Sequence, residues 1–500
     1  MLRFPFARPA AAVVNVAALI ACVTCTPAPA ATPTPQAPAT PEGPGSIARK
    51  TAGAERRDGF VPFYYDQRTG KLLLEVPRLD QEFLLLNSLS TGVGSDRLGL
   101  DRGTIGDEAL VRFERQGPKL FLVRRNTRFR ALGGSPELTR SVDESFASSV
   151  LAALPIVAEE NGRVLVDATD FFVQDFYDVR RTIRRAGQGE FRLDRDRSGI
   201  YLPRTKAFPK NTEVEVLLTF SSDNPGQEIV RHTPDGRSLS LREHYSLVEL
   251  PGPGFAPRAF DPRVGIWPLP FYDFNQPFDK DPVRRWAQRW RLVKKDPAAA
   301  MSDPVQPIVY YLDPAIPEPY RTAFKEGAGW WTKVFEAAGF TNAFRVEDLP
   351  ADADPMDARY SVIQWVHRSD PGFSIGPSFV DPRTGEIIKA AVRLESHRSI
   401  TDYNIWAGAN PSVAGPLGQC DVADDGPGDW IAALDPDADA TAFAMARRRQ
   451  HAAHEVGHTL GLAHNFIAGS YGRASVMDYP GPLMRLENGH LDLSDAYRNG

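Results

Sequence analysis

One stretch limits what this chain can fold into more than any other. It reads His454-Glu455-Val456-Gly457-His458-Thr459-Leu460-Gly461-Leu462-Ala463-His464. His454 and His458 are four apart, so on a helix their imidazoles share one face, a single turn from each other. That spacing lets two ring nitrogens reach one cation at about 2.0–2.1 Å. A continuing helix would carry His464 away. Gly461 lets the chain stop and fold back, because glycine takes positive φ without steric cost. His464 then closes a set of three nitrogens and leaves a fourth position open. Zn²⁺ is the cofactor such a set expects, and three neutral imidazoles leave it acidic enough to bring a bound water's pKa towards ~7. Glu455 lies about 100° around the helix from His454, off the ligand face. Its expected role is general base: it takes the water proton during attack on a carbonyl and passes it to the leaving amine. The helix itself is expected over residues 437–460, capped by Asp437 or Asp439.

The rest of the sequence sets the context. Its 500 residues are too many for one ordinary domain, and 42% hydrophobic with 24% charged residues suits a water-soluble globular protein. Lys+Arg 58 against Asp+Glu 63 leaves no concentrated basic face, which excludes a nucleic-acid partner. Only 3 cysteines exclude a disulfide scaffold. Arg3 and Arg8 precede a short apolar run, and residues 1–21 read as an export signal. Leu19-Ile20-Ala21-Cys22 resembles the lipobox of bacterial lipoproteins, which implies cleavage before Cys22 and lipid attachment to it. Ordinary cleavage further on, near Ala30, is the alternative. The expected location is thus the cell envelope (outer membrane or periplasm) or the exterior, with membrane contact only through the lipid anchor. Residues 22–46, rich in Pro, Ala and Thr, should be an extended tether.

Residues 47–300 read as a β-rich accessory region. Residues 60–65 and 71–76 flank the hairpin loop Asp66-Gln67-Arg68-Thr69-Gly70, and residues 109–114 and 119–124 flank Gln116-Gly117-Pro118. Asn161-Gly162 and Asp235-Gly236 mark two more turns between strands. Residues 213–220 alternate with period 2, the pattern of a sheet with one wet face. A Pro- and aromatic-rich connector occupies residues 251–281. From residue 301 the pattern becomes strand (307–312), one helix from Pro319 to Gly339, strand (360–366), a hairpin on Asp381-Pro382-Arg383-Thr384-Gly385, and strand (386–394).

Met477 follows the histidines within Ser475-Val476-Met477-Asp478-Tyr479-Pro480. With this methionine, His454 to His464 resembles the metzincin clan of zinc peptidases. The resemblance implies an α+β fold in which residues 301–500 form a metzincin-like catalytic domain, a twisted mixed sheet with long helices. It implies that Met477 floors the three imidazoles from a tight turn. It also implies that Tyr479 stands near the metal, as a fifth ligand that swings away and hydrogen-bonds the tetrahedral intermediate. His464-Asn465-Phe466 together with Val476 to Pro480 is similar to large bacterial exported zinc-dependent metalloproteases with a β-rich N-terminal region. The clan usually adds a helix well beyond the methionine turn. The sequence ends at Gly500, so residues 491–497 are expected to begin that helix and the domain to be truncated.

The implied function is a zinc-dependent endopeptidase acting on polypeptides. The alternatives are a non-proteolytic zinc-stabilised envelope lipoprotein that only binds, and a zinc amidase acting on cell-wall peptides. Residues 387–394 are the expected cleft rim, pairing with substrate as an extra strand. His451 would shut the open position if it bound, so it is expected beside the metal or at the surface. Arg447-Arg448-Arg449 is expected in solvent, Cys420 in a loop with no switch role, and Asp424-Asp425 without calcium. The sequence carries no sign of oligomeric state.

Overall fold

Strand-forming runs dominate the first half of the chain and pair mostly with their sequence neighbours. The computed structural model describes residues 46–407 and 439–497. Cys22, Cys420, Asp424, Asp425 and Asp437 lie outside the described residues, as do the export signal and nearly all of the tether.

The larger sheet has twelve strands. Its spatial order is Glu55–Arg57, Phe63–Asp66, Lys71–Val76, Arg163–Asp167, Ser149–Glu160, Lys119–Arg124, Ile105–Gln116, Phe83–Leu89, Ser238–Glu249, Asn211–Ser221 and Arg192–Ile200, with Lys206–Phe208 also on Asn211–Ser221. Tight turns set much of this order. At the Asp66 loop, the Gly70 N–H donates to Asp66 O at 2.8 Å and the Asp66 carboxylate accepts from Arg68 N–H at 2.9 Å. Asn161 and Gly162 both take positive φ, 51° and 76°, the two-residue turn whose twist matches the flanking strands. Asp235-Gly236 behaves differently: a short helix, Gln227–His232, precedes it and only Ser238–Glu249 after it is a strand.

The expected wet face on residues 213–220 is absent. Asn211–Ser221 is buried on both faces apart from Leu217 and the partly exposed Ser221. The polar face carrying Glu213 and Glu215 is covered instead of solvated. Asn211 Nδ2 donates to Met356 O at 2.9 Å, the Ala358 N–H donates back to Asn211 Oδ1 at 2.9 Å, and Lys206 pairs with Asp354. Alongside, Leu84, Leu86 and Val248 pack against Ala358, Phe379 and Ile388. Period-2 alternation reports polarity; a second layer decides exposure.

That second layer is a five-stranded sheet in the order Phe344–Asp348, Ile308–Leu312, Ser361–Val366, Ile387–Glu395 and Ser378–Val380. The first four strands are parallel and the last is antiparallel. Its core, built on Tyr310, Phe324, Ile363, Trp365, Val392 and Val456, joins the sheet to the helices beneath. The single helix expected from Pro319 to Gly339 is two, Tyr320–Gly329 and Trp331–Ala337. Gly327-Ala328-Gly329 is a weak helical stretch where the first one ends. Residues 491–497 do not start a helix. Arg485–Glu487 and His490–Asp492 form a hairpin across Asn488-Gly489, and Ala496 and Tyr497 then bury themselves against Phe443. The molecule is thus mixed α/β with a large β-rich N-terminal region. Among the described residues, no helix is long and apolar enough to cross a membrane.

Candidate metal centre

The helix Ala440–Thr459 starts where Asp439 accepts the Ala442 N–H at 2.9 Å. It ends at Leu460, and Gly461 follows at φ +99°. A side chain at 461 would meet both an unfavourable φ and Gln288 O, so only glycine makes this reversal. The reversal returns His464 to His454 and His458. The three histidines each offer a ring nitrogen within 4.8 Å of the others.

Backbone carbonyls orient the rings. His454 Nδ1 lies 2.8 Å from Val476 O, and His458 Nδ1 lies 2.8 Å from Leu462 O. A carbonyl only accepts, so each Nδ1 carries the proton and each Nε2 is left with its lone pair. Burial, reinforced for His454 by the neighbouring His458 and His464, pushes the two imidazoles down to about 3 and about 4, so both stay neutral. Their Nε2 atoms are buried and have no hydrogen-bond partner among the described residues. Two desolvated lone pairs converging with a third imidazole fit a cation with tetrahedral preference such as Zn²⁺. Tyr479 is there too: its hydroxyl is 2.7 Å from His464 Nε2 and its ring lies 5.4 Å from that of His454.

Met477 is buried below the helix, and the Asn465 N–H donates to its carbonyl at 2.8 Å. Its Sδ and the Trp331 ring occupy the space where a side chain at Gly457 would stand. That interior glycine, between the two helical histidines, is a signal for close approach that the sequence reasoning passed over.

Glu455 is buried and lines a narrow cleft with His454, Val476, Asp478 and Tyr479. Burial raises its carboxyl to about 8 against the opposing pull of Arg398, Arg393, Arg447 and Arg448. Oε1 lies 3.3 Å from His451 Nε2, and Oε2 has no partner among the described residues. His451 is therefore buried beside the site, and burial with the nearby arginines keeps it neutral.

The arginine run is not solvated. Arg448 is fully buried, with its guanidinium over Phe324 at 5.0 Å and Trp365 at 5.7 Å and its Nη2 donating to Glu395 O at 2.9 Å. Arg447 is also buried and bonds Gln450; only Arg449 reaches solvent, paired with Glu326. Three successive residues span most of a helical turn, and this helix packs on more than one side.

The cleft rim also differs from expectation. Ile387–Glu395 is an interior strand: residues 391–395 pair with Ser361–Val366 on one side, and residues 387–390 pair with Ser378–Val380 on the other. The outer strand is Ser378–Val380, continued by the Ile375–Arg393 bridge. Sequence reasoning also missed the connector. Ile266 pairs with Leu462, the Trp267 N–H donates to Gly461 O at 2.7 Å, and the Ala463 N–H donates to Gly265 O at 3.0 Å. Trp267 thus stands 5.9 Å from the His458 ring. The Pro- and aromatic-rich composition marked the segment as unusual, but nothing in it pointed to this partner.

With this geometry in view, residues 437–500 match a family described as Met-zincin. Residues 103–295 match a family described as a domain of unknown function (DUF5117). No curated protein and no solved structure matches the chain. The Met-zincin match and the histidine triad within it together support a metzincin-like zinc peptidase.

Proposed function

We propose that the chain is an exported zinc-dependent endopeptidase, with His454, His458 and His464 holding the metal. What supports this reading most directly is the pair of buried, partnerless Nε2 atoms on His454 and His458, with the Glu455 carboxylate beside them. Zinc held there would supply Lewis acidity towards a carbonyl oxygen and water. Glu455 Oε2 is the atom that accepts the proton of the attacking water and delivers it to the amide nitrogen as the peptide bond breaks. His451 faces Oε1 and leaves Oε2 for that exchange. The Tyr479 hydroxyl, now on His464 Nε2, is a donor within reach of a developing oxyanion. Export, lipid attachment at Cys22 and the division into residues 47–300 and 301–500 belong to the same proposal and rest on the sequence patterns.

Zinc content and casein digestion by wild-type and Glu455→Ala protein test the reading. The expected result is one zinc per chain in both, with chelator-sensitive cleavage by the wild type alone. Zinc binding without cleavage of any amide would instead mark a zinc-stabilised binding protein. Cleavage confined to wall peptides would mark an amidase.

A further inference from the structure

We infer that Trp267 forms the wall of a subsite for a bulky apolar side chain next to the scissile bond, so that the region outside the catalytic half helps to choose the substrate. The inference rests on the peptidase reading above. Its first support is position. Trp267 is 40% exposed, its ring tilted 43° against that of His458 at 5.9 Å, so a large apolar surface borders the metal ligands without being covered.

The second support is rigidity. Trp267 is held to the ligand turn from both sides by the Trp267–Gly461 and Ala463–Gly265 backbone hydrogen bonds, and the Gln288 N–H donates to Trp267 O at 3.0 Å. Trp290, two residues beyond Gln288, donates from Nε1 to Thr459 O at 2.9 Å, which ties the strand partner of Trp267 to the end of the metal-bearing helix. An exposed ring on so firmly held a backbone is a preformed wall, and binding to it costs little ordering entropy.

The third support lies beside another of the three histidines. Phe466, 62% exposed, stands 5.3 Å from the His464 ring and 5.5 Å from Tyr479. Two uncovered aromatic rings therefore flank the triad, one from the connector and one from the turn after His464. A polypeptide lying across the metal would bring side chains against them, and apolar ones would gain by leaving water. The substrate class is thus an extended polypeptide with leucine or an aromatic residue beside the cleaved bond. Trp267 lies within the segment matched as DUF5117, which gives that segment a part in the cleft.

The test compares zinc-loaded wild type, Trp267→Ala and Trp267→Phe on matched peptides that carry Leu, Phe, Ser or Glu beside one cleavable bond. Wild type should favour the apolar peptides by roughly tenfold or more in kcat/KM, and Trp267→Ala should lose most of that ratio through KM. Trp267→Phe should keep it. Zinc stoichiometry is measured alongside. A ring that merely shields His458 would change zinc retention and leave the peptide ratio alone, which overturns the inference while the peptidase reading stands. Should wild type cleave none of the peptides, the peptidase reading falls. Peptide binding to zinc-loaded Glu455→Ala protein, with and without Trp267→Ala, then decides: equal affinity for apolar and polar peptides overturns the wall as well.

Discussion

Two of the buried polar clusters among the described residues are completed in opposite ways. Between the two sheets, His244 sits with Nε2 on Glu213 and Nδ1 3.2 Å from Glu215. Arg242 donates to Glu215 at 2.7 Å and Ser246 donates to Glu213 at 2.6 Å. At the triad, the Nε2 atoms of His454 and His458 are buried with no partner among the described residues. The same imidazole chemistry is driven in opposite directions. Burial opposes a charge on His244, but Glu213 and Glu215 outweigh it and raise the group to about 9. Burial at His454, with no carboxylate to offset it, lowers that group to about 3. One imidazole is a structural cation; the other keeps a lone pair. A buried polar atom without a partner costs about 1–3 kcal/mol, so the saturated cluster contributes to the fold, whereas the unsaturated triad could hold a metal.

This contrast can be broken. The largest effect should come from Glu455→Ala, which is expected to slow peptide hydrolysis by about 10²–10⁴-fold with zinc content unchanged. Turnover at the wild-type rate would remove Glu455 from its role. Next, His244→Ala leaves buried Glu213 without its paired cation, while Glu215 keeps Arg242, and should cost about 3–5 kcal/mol in denaturant unfolding. His454→Ala, unfolded without metal, should cost clearly less and yet abolish zinc binding; equal losses would erase the distinction between the clusters. Zinc at a hundredfold excess over its Kd should stabilise the wild type by about 2.7 kcal/mol, reversed by a chelator and absent in His454→Ala.

The smallest effect sharpens the comparison through pH. The folded-state pKa of His244, about 9, lies above the ordinary 6.5 of histidine. Its stabilising contribution is therefore whole below pH 6.5 and disappears as pH rises through 9. Unfolding midpoints of wild type and His244→Ala should draw together over that window. A gap that stays constant to pH 10 would mean that His244 is not the titrating cation.

The site was more legible in the sequence than the surface around it. The spacing of His454 and His458, the glycine at 461 and the position of Glu455 depend on helix geometry and one backbone reversal, which local residues determine. Met477 and Tyr479 came from resemblance alone, since nothing in their spacing says that a turn brings them under and beside the rings. Arg448 was misread because a charged run usually faces water, and here Phe324, Trp365 and Glu395 from three other elements enclose it. The cleft rim was misread because an alternating strand looks the same at an edge or inside a sheet.

Residue order by itself determined the starts, stops and turns: the Asp439 cap, the Asn161-Gly162 turn, the reversal at Gly461. These depend on backbone dihedrals and on hydrogen bonds a few residues apart, so the information is local. Tertiary structure alone decided that the polar face of Asn211–Ser221 would be covered, that Ser378–Val380 would be the outer strand and that Trp267 would stand beside His458. Each depends on a surface supplied from far along the chain, and burial belongs to the pair of surfaces that meet.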